Sequence, residues 1–305
     1  MNSPRLLAII TIIIWSFGGI AAKQISVKSE YLFVALSFSF TFLTFLTWLF
    51  ITKRYQLMAQ IKLFKPQFLF FGLFGYAIYW ICMIQSFRNF SSASGPIVLN
   101  YTWPLFTVLF SELVFKTSMT VQINKSYTRA ISYFGLLIGV FGVVVLAGKG
   151  DLSLLHIDSP RGILWGLGSG ASYGLFSAYS GTVKSEEHQI FLFTSITISL
   201  LFIAVIMVST IGNEELKLIN QISLTDIMAI TFIGIVCDGI GYFTWTKSNR
   251  RIEELKLDRS MIASMMFSLP ILSVIIISLF LGEVLLLELY FIIALLLIVF
   301  SSVLC

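Results

Sequence analysis

One acidic residue stands alone inside a long apolar stretch, Asp238 within "ITFIGIVCDGIGYFTWT". An ionised carboxylate at such depth in hydrocarbon costs about 2.5–3.5 kcal/mol on insertion scales, so acids placed there usually bind, carry protons or bridge helices. At α-helical spacing Gly234, Asp238, Tyr242 and Trp245 follow i, i+4, i+8 and i+11 and share a face. That face sets a carboxylate beside aromatic rings, which suits a substrate ammonium or a proton-coupling acid. A helix–helix hydrogen bond without a part in chemistry is the third reading.

Other polar-tipped residues lie in comparable stretches. They are Trp15 in "IIIWSFGGIAAK", Tyr79 in "GYAIYW", Asn100 and Trp103 in "LNYTWPLFTVLF", and Tyr173 in "GASYGLFSAYSG". Buried Tyr and Trp need partners for their O–H and N–H groups, which favours a face turned to a cavity or a bundle over one turned to lipid. Ordinary packing is the competing reading for the Tyr76, Tyr79, Trp80 and Met83 stripe. Pro104 lacks a donor and releases the carbonyl of Asn100, four residues before it; a fixed kink used only for packing has the same cause. The seven residues Trp15, Tyr79, Asn100, Trp103, Tyr173, Asp238 and Tyr242 are therefore expected to form one substrate-binding cavity.

Enzyme chemistry finds little support. There is no His-Glu-x-x-His, no paired acids, and no glycine-rich phosphate loop followed by Lys-Ser/Thr. His156 and His188 fall in predicted loops, and Cys82, Cys237 and Cys305 have neither metal-site nor disulfide spacing and read as packing residues. No catalytic residue, metal or cofactor is expected. A membrane enzyme or a scaffold is the non-transport alternative.

The elements that position these residues are transmembrane helices. Of the 305 residues 57% are hydrophobic and 11% charged, about half the charge of an ordinary soluble domain. Ten apolar runs are each able to cross a core that takes about 20 helical residues. They are Leu6–Ala22, Leu32–Ile51, Phe68–Phe87, Ser94–Val114, Ala130–Ala147, Ile163–Val183, Ile190–Ile211, Ile227–Thr246, Ser260–Leu281 and Leu285–Val303. None alternates with period two, which argues against a barrel. The expected class is an all-α integral membrane protein in the cell (inner) membrane.

The net charge of +5 would suggest nucleic acid in a soluble chain; here the positive charges sit in loops and report topology. With the N-terminus inside, Arg5, Lys53, Arg54, Lys62, Lys65, Lys116, Lys125, Arg129, Lys184, Lys247, Arg250, Arg251, Lys256 and Arg259 face the cytoplasm. Lys23, Lys28, Arg88, Lys149, Arg161 and Lys217 face outward, so both termini are expected in the cytoplasm. Arg88, Asn89, Arg250 and Arg251 read as interfacial anchors, and Glu112 and Glu283 as solvated or loop-tethering acids. The glycines Gly162, Gly166, Gly170 and Gly174, with Gly135 and Gly139, mark close helix contacts.

The polar break Gly148–Arg161 divides the chain into residues 1–148 and 149–305, each with five expected spans. An odd number per half turns the second half upside down, an inverted-repeat architecture with the ligand site near the midplane. Trp15 sets against Tyr173, Tyr79 against Tyr242 and Pro104 against Pro270, in the right order.

In "WSFGGIAAK", "GYFTWTKSNRRIE" and "SLPILSVIIISLFLGE" the whole chain resembles the drug/metabolite transporter superfamily, in its EamA-type ten-helix branch. "LNYTWPLFTVLF" looks most like the aromatic amino acid exporter subgroup. One departure is that the Gly-Glu pair closing the ninth span (Gly282-Glu283) is "LVFKT" at the end of the fourth. The resemblance implies a secondary transporter of amino acids or related amines, with export as its direction. Choline-like quaternary amines, nucleosides and amphiphilic drugs are the alternative substrates. The implied partners are a small molecule and the lipid bilayer, with no nucleic acid.

Overall fold

The computed structural model describes residues 3–56, 65–91, 94–116, 126–151, 159–210, 219–281 and 289–305. All regular structure among the described residues is helical, the form that satisfies every backbone group within one segment when no water is present. The helices are α1 (Pro4–Lys23), α2 (Glu30–Ile51), α3 (Pro66–Asn89), α4 in two pieces (Ser94–Asn100 and Trp103–Leu113) and α5 (Ser126–Ala147). They continue with α6 (Pro160–Ser180), α7 (His188–Thr210), α8 (Leu224–Glu254), α9 in two pieces (Ser260–Met265 and Ser268–Leu281) and α10 (Leu289–Leu304).

Seven of them, α1, α2, α3, α5, α7, α8 and α9, are long and apolar enough to cross a bilayer. α6 has the length, but glycine and serine stand where aliphatic residues would raise its hydropathy. Leu43, Phe134, Leu164, Val208, Leu279 and Leu296 are among many large apolar side chains exposed on the bundle, which hydrocarbon accommodates and water does not.

Several expectations are corrected. The fourth and ninth spans are broken rather than continuous, at Tyr101–Thr102 and Met266–Phe267. Three-residue turn bonds replace helical ones there: Thr102 N–H donates to the Leu99 carbonyl at 3.2 Å, and Phe267 N–H to that of Ser264 at 3.1 Å. Pro104 and Pro270 each sit in the first turn of the piece that follows, where a missing donor costs least. π-type turns interrupt α3 at Phe74–Ile78 and α8 at Ile233–Gly241. His188, expected in a loop, opens α7; it is 3% exposed, with Nε2 2.7 Å from Thr246 Oγ1. Arg250 and Arg259, expected at an interface and in a loop, are both buried. His156 and Glu283 lie outside the described residues.

Side-chain bonds fix which helix ends lie together. At one end, the Pro4 end, Ser248 Oγ donates to the Pro4 carbonyl, Lys65 pairs with Glu187 at 2.6 Å, and Arg54 donates to the Glu186 carbonyl. At the other, the Lys23 end, Asp226 accepts from the Ser26 N–H at 2.6 Å, and Arg88 pairs with Glu30 at 2.8 Å. α6 packs closely on α4 because Gly170 abuts Thr102 and the Leu99 and Asn100 carbonyls, leaving no room for a side chain. Gly135, Gly139 and Gly142 of α5 admit α10 in the same way. Glu112 is a tether, accepting from the Tyr133 hydroxyl at 2.6 Å between α4 and α5.

Candidate functional site

α1, α3, α4, α6 and α8 surround a cavity of about 400 Å³, within the range of small-molecule pockets. Trp15, Tyr79, Asn100, Trp103, Tyr173, Asp238 and Tyr242 all line it. The tertiary structure brings together every site residue expected from the sequence.

The π-type turn of α8 sets the carboxylate. A wider turn shifts the faces that follow it, so the α-helical spacing predicted for this stretch does not hold throughout. Asp238 and Tyr242 face the cavity, whereas Gly234 abuts the backbone of Ser37 on α2, and Trp245 is fully buried beneath the cavity floor. Asp238 is 5% exposed, and its Oδ2 accepts from Ser37 Oγ at 2.9 Å. Among the described residues no protein group donates to Oδ1. The two interrupted helices also grip each other. Tyr242 O–H donates to the Gly75 carbonyl at 3.0 Å and Tyr76 O–H to the Asp238 carbonyl at 3.3 Å, and the two rings stack 4.3 Å apart. Both acceptors lie in the π-type turns, where the ordinary backbone ladder is disturbed.

Aromatic rings make the rest of the wall. Trp15 meets Trp103, Tyr173 and Tyr242 edge to face at 6.2, 6.0 and 5.9 Å, and its Nε1 donates to the Cys237 carbonyl at 3.0 Å. Trp103 meets Tyr173 and Trp245 edge to face, both at 5.1 Å. Edge-to-face contacts add about 0.5–1.5 kcal/mol each beyond burial, so these walls are held rather than loosely collapsed. Asn100 stands at the break in α4, accepts from Ser169 Oγ at 3.2 Å and lies beside the Tyr79 hydroxyl. The Tyr173 hydroxyl, close to Ser177, and the Trp80 indole N–H are buried without a well-formed hydrogen bond.

Trp80, Met83 and Phe87 extend the wall along α3 beyond Tyr79, on a stripe whose pattern was partly visible in the sequence. Phe33 and Leu269 also line it, and Ser37 braces the acid; nothing distinguishes these three from their apolar or serine neighbours in sequence. Cys237, read as a packing residue, is part of the lining as well.

The cavity extends toward the Lys23 end, past Ala22 and Phe87, which is 41% exposed. Toward the Pro4 end it is floored by Trp103, which is backed by Trp245, whose Nε1 donates to Ser177 Oγ at 2.9 Å. Beneath that floor lies Arg259, 1% exposed. Its guanidinium donates to Ser111 Oγ at 2.7 Å and to the Ala178 carbonyl at 3.2 Å, and pairs with Glu253 at 3.3 Å. Gly181 abuts the same guanidinium, so one arginine locks α4, α6, α8 and the start of α9 together.

Comparison with known proteins agrees with this architecture. A crystal structure of another protein superposes with a TM-score of 0.70 over 99% of this chain and 95% of that one, at 19% identity, which shows a shared fold. No curated protein sequence matches the chain. The family model of EamA-like transporters matches residues 3–148. The chain is thus a multi-pass membrane protein whose first half carries the EamA-like transporter pattern.

Proposed function

We propose that the protein is a secondary transporter of amino acids or related amines, working by alternating access of two inverted five-helix repeats, residues 1–148 and 149–305. The observation that carries the reading is one cavity between the two halves, with a lone carboxylate and an aromatic wall, open toward one end and plugged toward the other. A site reachable from one side at a time is what transport requires of a carrier.

Packing supports the repeat. α1 lies on α9 as α6 lies on α4, α3 lies on α6 as α8 lies on α1, and α3 meets α7 as α8 meets α2. α2 pairs with α7 and α5 with α10, each helix with its own counterpart. The third helix of each half has a π-type turn and the fourth a break ahead of a proline. All ten helices then cross the membrane, with both termini in the cytoplasm of a cell (inner) membrane. The Pro4 end faces inward by its excess of Lys and Arg, and the state described is outward-open. Export follows from the resemblance to aromatic amino acid exporters in "LNYTWPLFTVLF".

Reconstituted vesicles test the reading. Amines and amino acids that raise the melting temperature of the detergent-purified protein should also show saturable flux, and unlabelled substrate on the far side should accelerate it. Flux that rises linearly with concentration would indicate a channel, and the absence of any ligand-induced stabilisation across the panel would remove the substrate class.

A further inference from the structure

We infer that the cavity selects monocationic amines with a flat apolar body and disfavours zwitterionic amino acids; this rests on the reading of the cavity as a substrate site. Among the described lining residues Asp238 is the one carboxylate, and none is Lys, Arg or His. A bound ammonium would meet Asp238 Oδ1, which has no protein donor among the described residues, and the surrounding ring faces.

An α-carboxylate would find no cation in that wall. Trp15 Nε1 and the Tyr242 hydroxyl are committed to backbone carbonyls. Asn100, Trp80 and Tyr173 are neutral and bring no charge to meet it. Two flanking arginines are held elsewhere. Arg88 is bound to Glu30 and lies over the Tyr31 ring, outside the lining, and Arg259 lies beyond the Trp103–Trp245 floor. A carboxylate taken into such a wall loses its hydration, gains only neutral donors and shares the space with a like charge.

The test is calorimetric binding of one phenyl series to the purified full chain: phenethylamine, phenylalanine methyl ester, phenylalanine, 3-phenylpropionate and 2-phenylethanol. The amine and the ester are expected to bind about tenfold or more tightly than phenylalanine, with 3-phenylpropionate weakest. Asp238→Asn should bring the amine down to the level of the neutral alcohol, while Asp238→Glu keeps the preference. Phenylalanine binding as tightly as its methyl ester would overturn the inference and leave the transporter reading intact. If no member binds, the alcohol included, both fall. The wild-type series decides the matter even should the variants fail to fold.

Discussion

The two ends of the bundle use their buried charges in opposite ways: one sets a lone carboxylate in the cavity lining, the other ties an arginine between helices. On the cavity side Asp238 Oδ1 has no donor among the described residues, and the occluded Trp80 Nε1 and Tyr173 hydroxyl lack well-formed bonds. On the Pro4 side Arg259 is held by Ser111, the Ala178 carbonyl and Glu253 and abuts Gly181, although its Nε and Asn249 Oδ1 carry no hydrogen bond among the described residues, and Thr11 Oγ1 meets Thr244 Oγ1 at 2.7 Å between α1 and α8. Removing the partner of a buried charge costs about 3–5 kcal/mol, so a lone carboxylate in the lining suits a ligand that pairs with it, and a tied guanidinium suits a seal. On the proposed reading, the contrast separates a binding side from a closing side in one helical bundle.

Removing the plug should have the largest effect. Arg259→Ala strips three partners at once and is expected to cost about 2–4 kcal/mol of stability, read as the melting temperature in detergent. A cysteine placed at Ser177 should then react with thiol reagents applied from the Pro4 end, and unchanged protection would show that the aromatic floor alone closes the path. Next comes Asp238→Asn, which retains a group able to bond Ser37 but removes the charge. Binding of a cationic ligand should weaken by about 2 kcal/mol or more. If the acid carries a proton, affinity persists and the pH dependence of vesicle flux disappears instead. Wild-type affinity and wild-type flux at every pH would reduce Asp238 to a helix contact.

Gly170→Val is a test of packing rather than chemistry. Its side chain would press on Thr102 and two backbone carbonyls at the break of α4, so a loss of about 1–3 kcal/mol in stability is expected, with ligand affinity falling as Asn100 shifts. The smallest effect should come from Lys256, whose φ of 52° is left-handed. Lys256→Gly should raise stability by about 0.5–1 kcal/mol or less without touching ligand binding, since glycine adopts that conformation freely.

The sequence by itself determined the helical membrane class, because runs of about 20 apolar residues have few other stable solutions. It also marked the wall of the cavity. Trp, Tyr, Asn and Asp within such runs are costly against lipid, so their presence alone points inward, and Trp15, Asn100, Tyr173 and Asp238 all line the space. Pro104 and Pro270 announced disturbed backbone through their missing donors, and the glycines of α6 announced which face would be approached.

What only the tertiary structure decided follows from register and partner choice. The π-type turn at Ile233–Gly241 moved Gly234 off the cavity-lining face that α-helical spacing gave it, whereas Trp245, in regular helix after Tyr242, lies one turn deeper behind Trp103. Such a turn depends on bonds from other helices, here Tyr76 to the Asp238 carbonyl and Thr41 to that of Gly234. Arg259 and His188 looked like loop residues because their own neighbours are polar; their partners Ser111, Ala178 and Thr246 lie 148, 81 and 58 residues away. Local pattern records the solvent a segment faces. Which distant groups meet in the interior is set by the packing of the whole bundle.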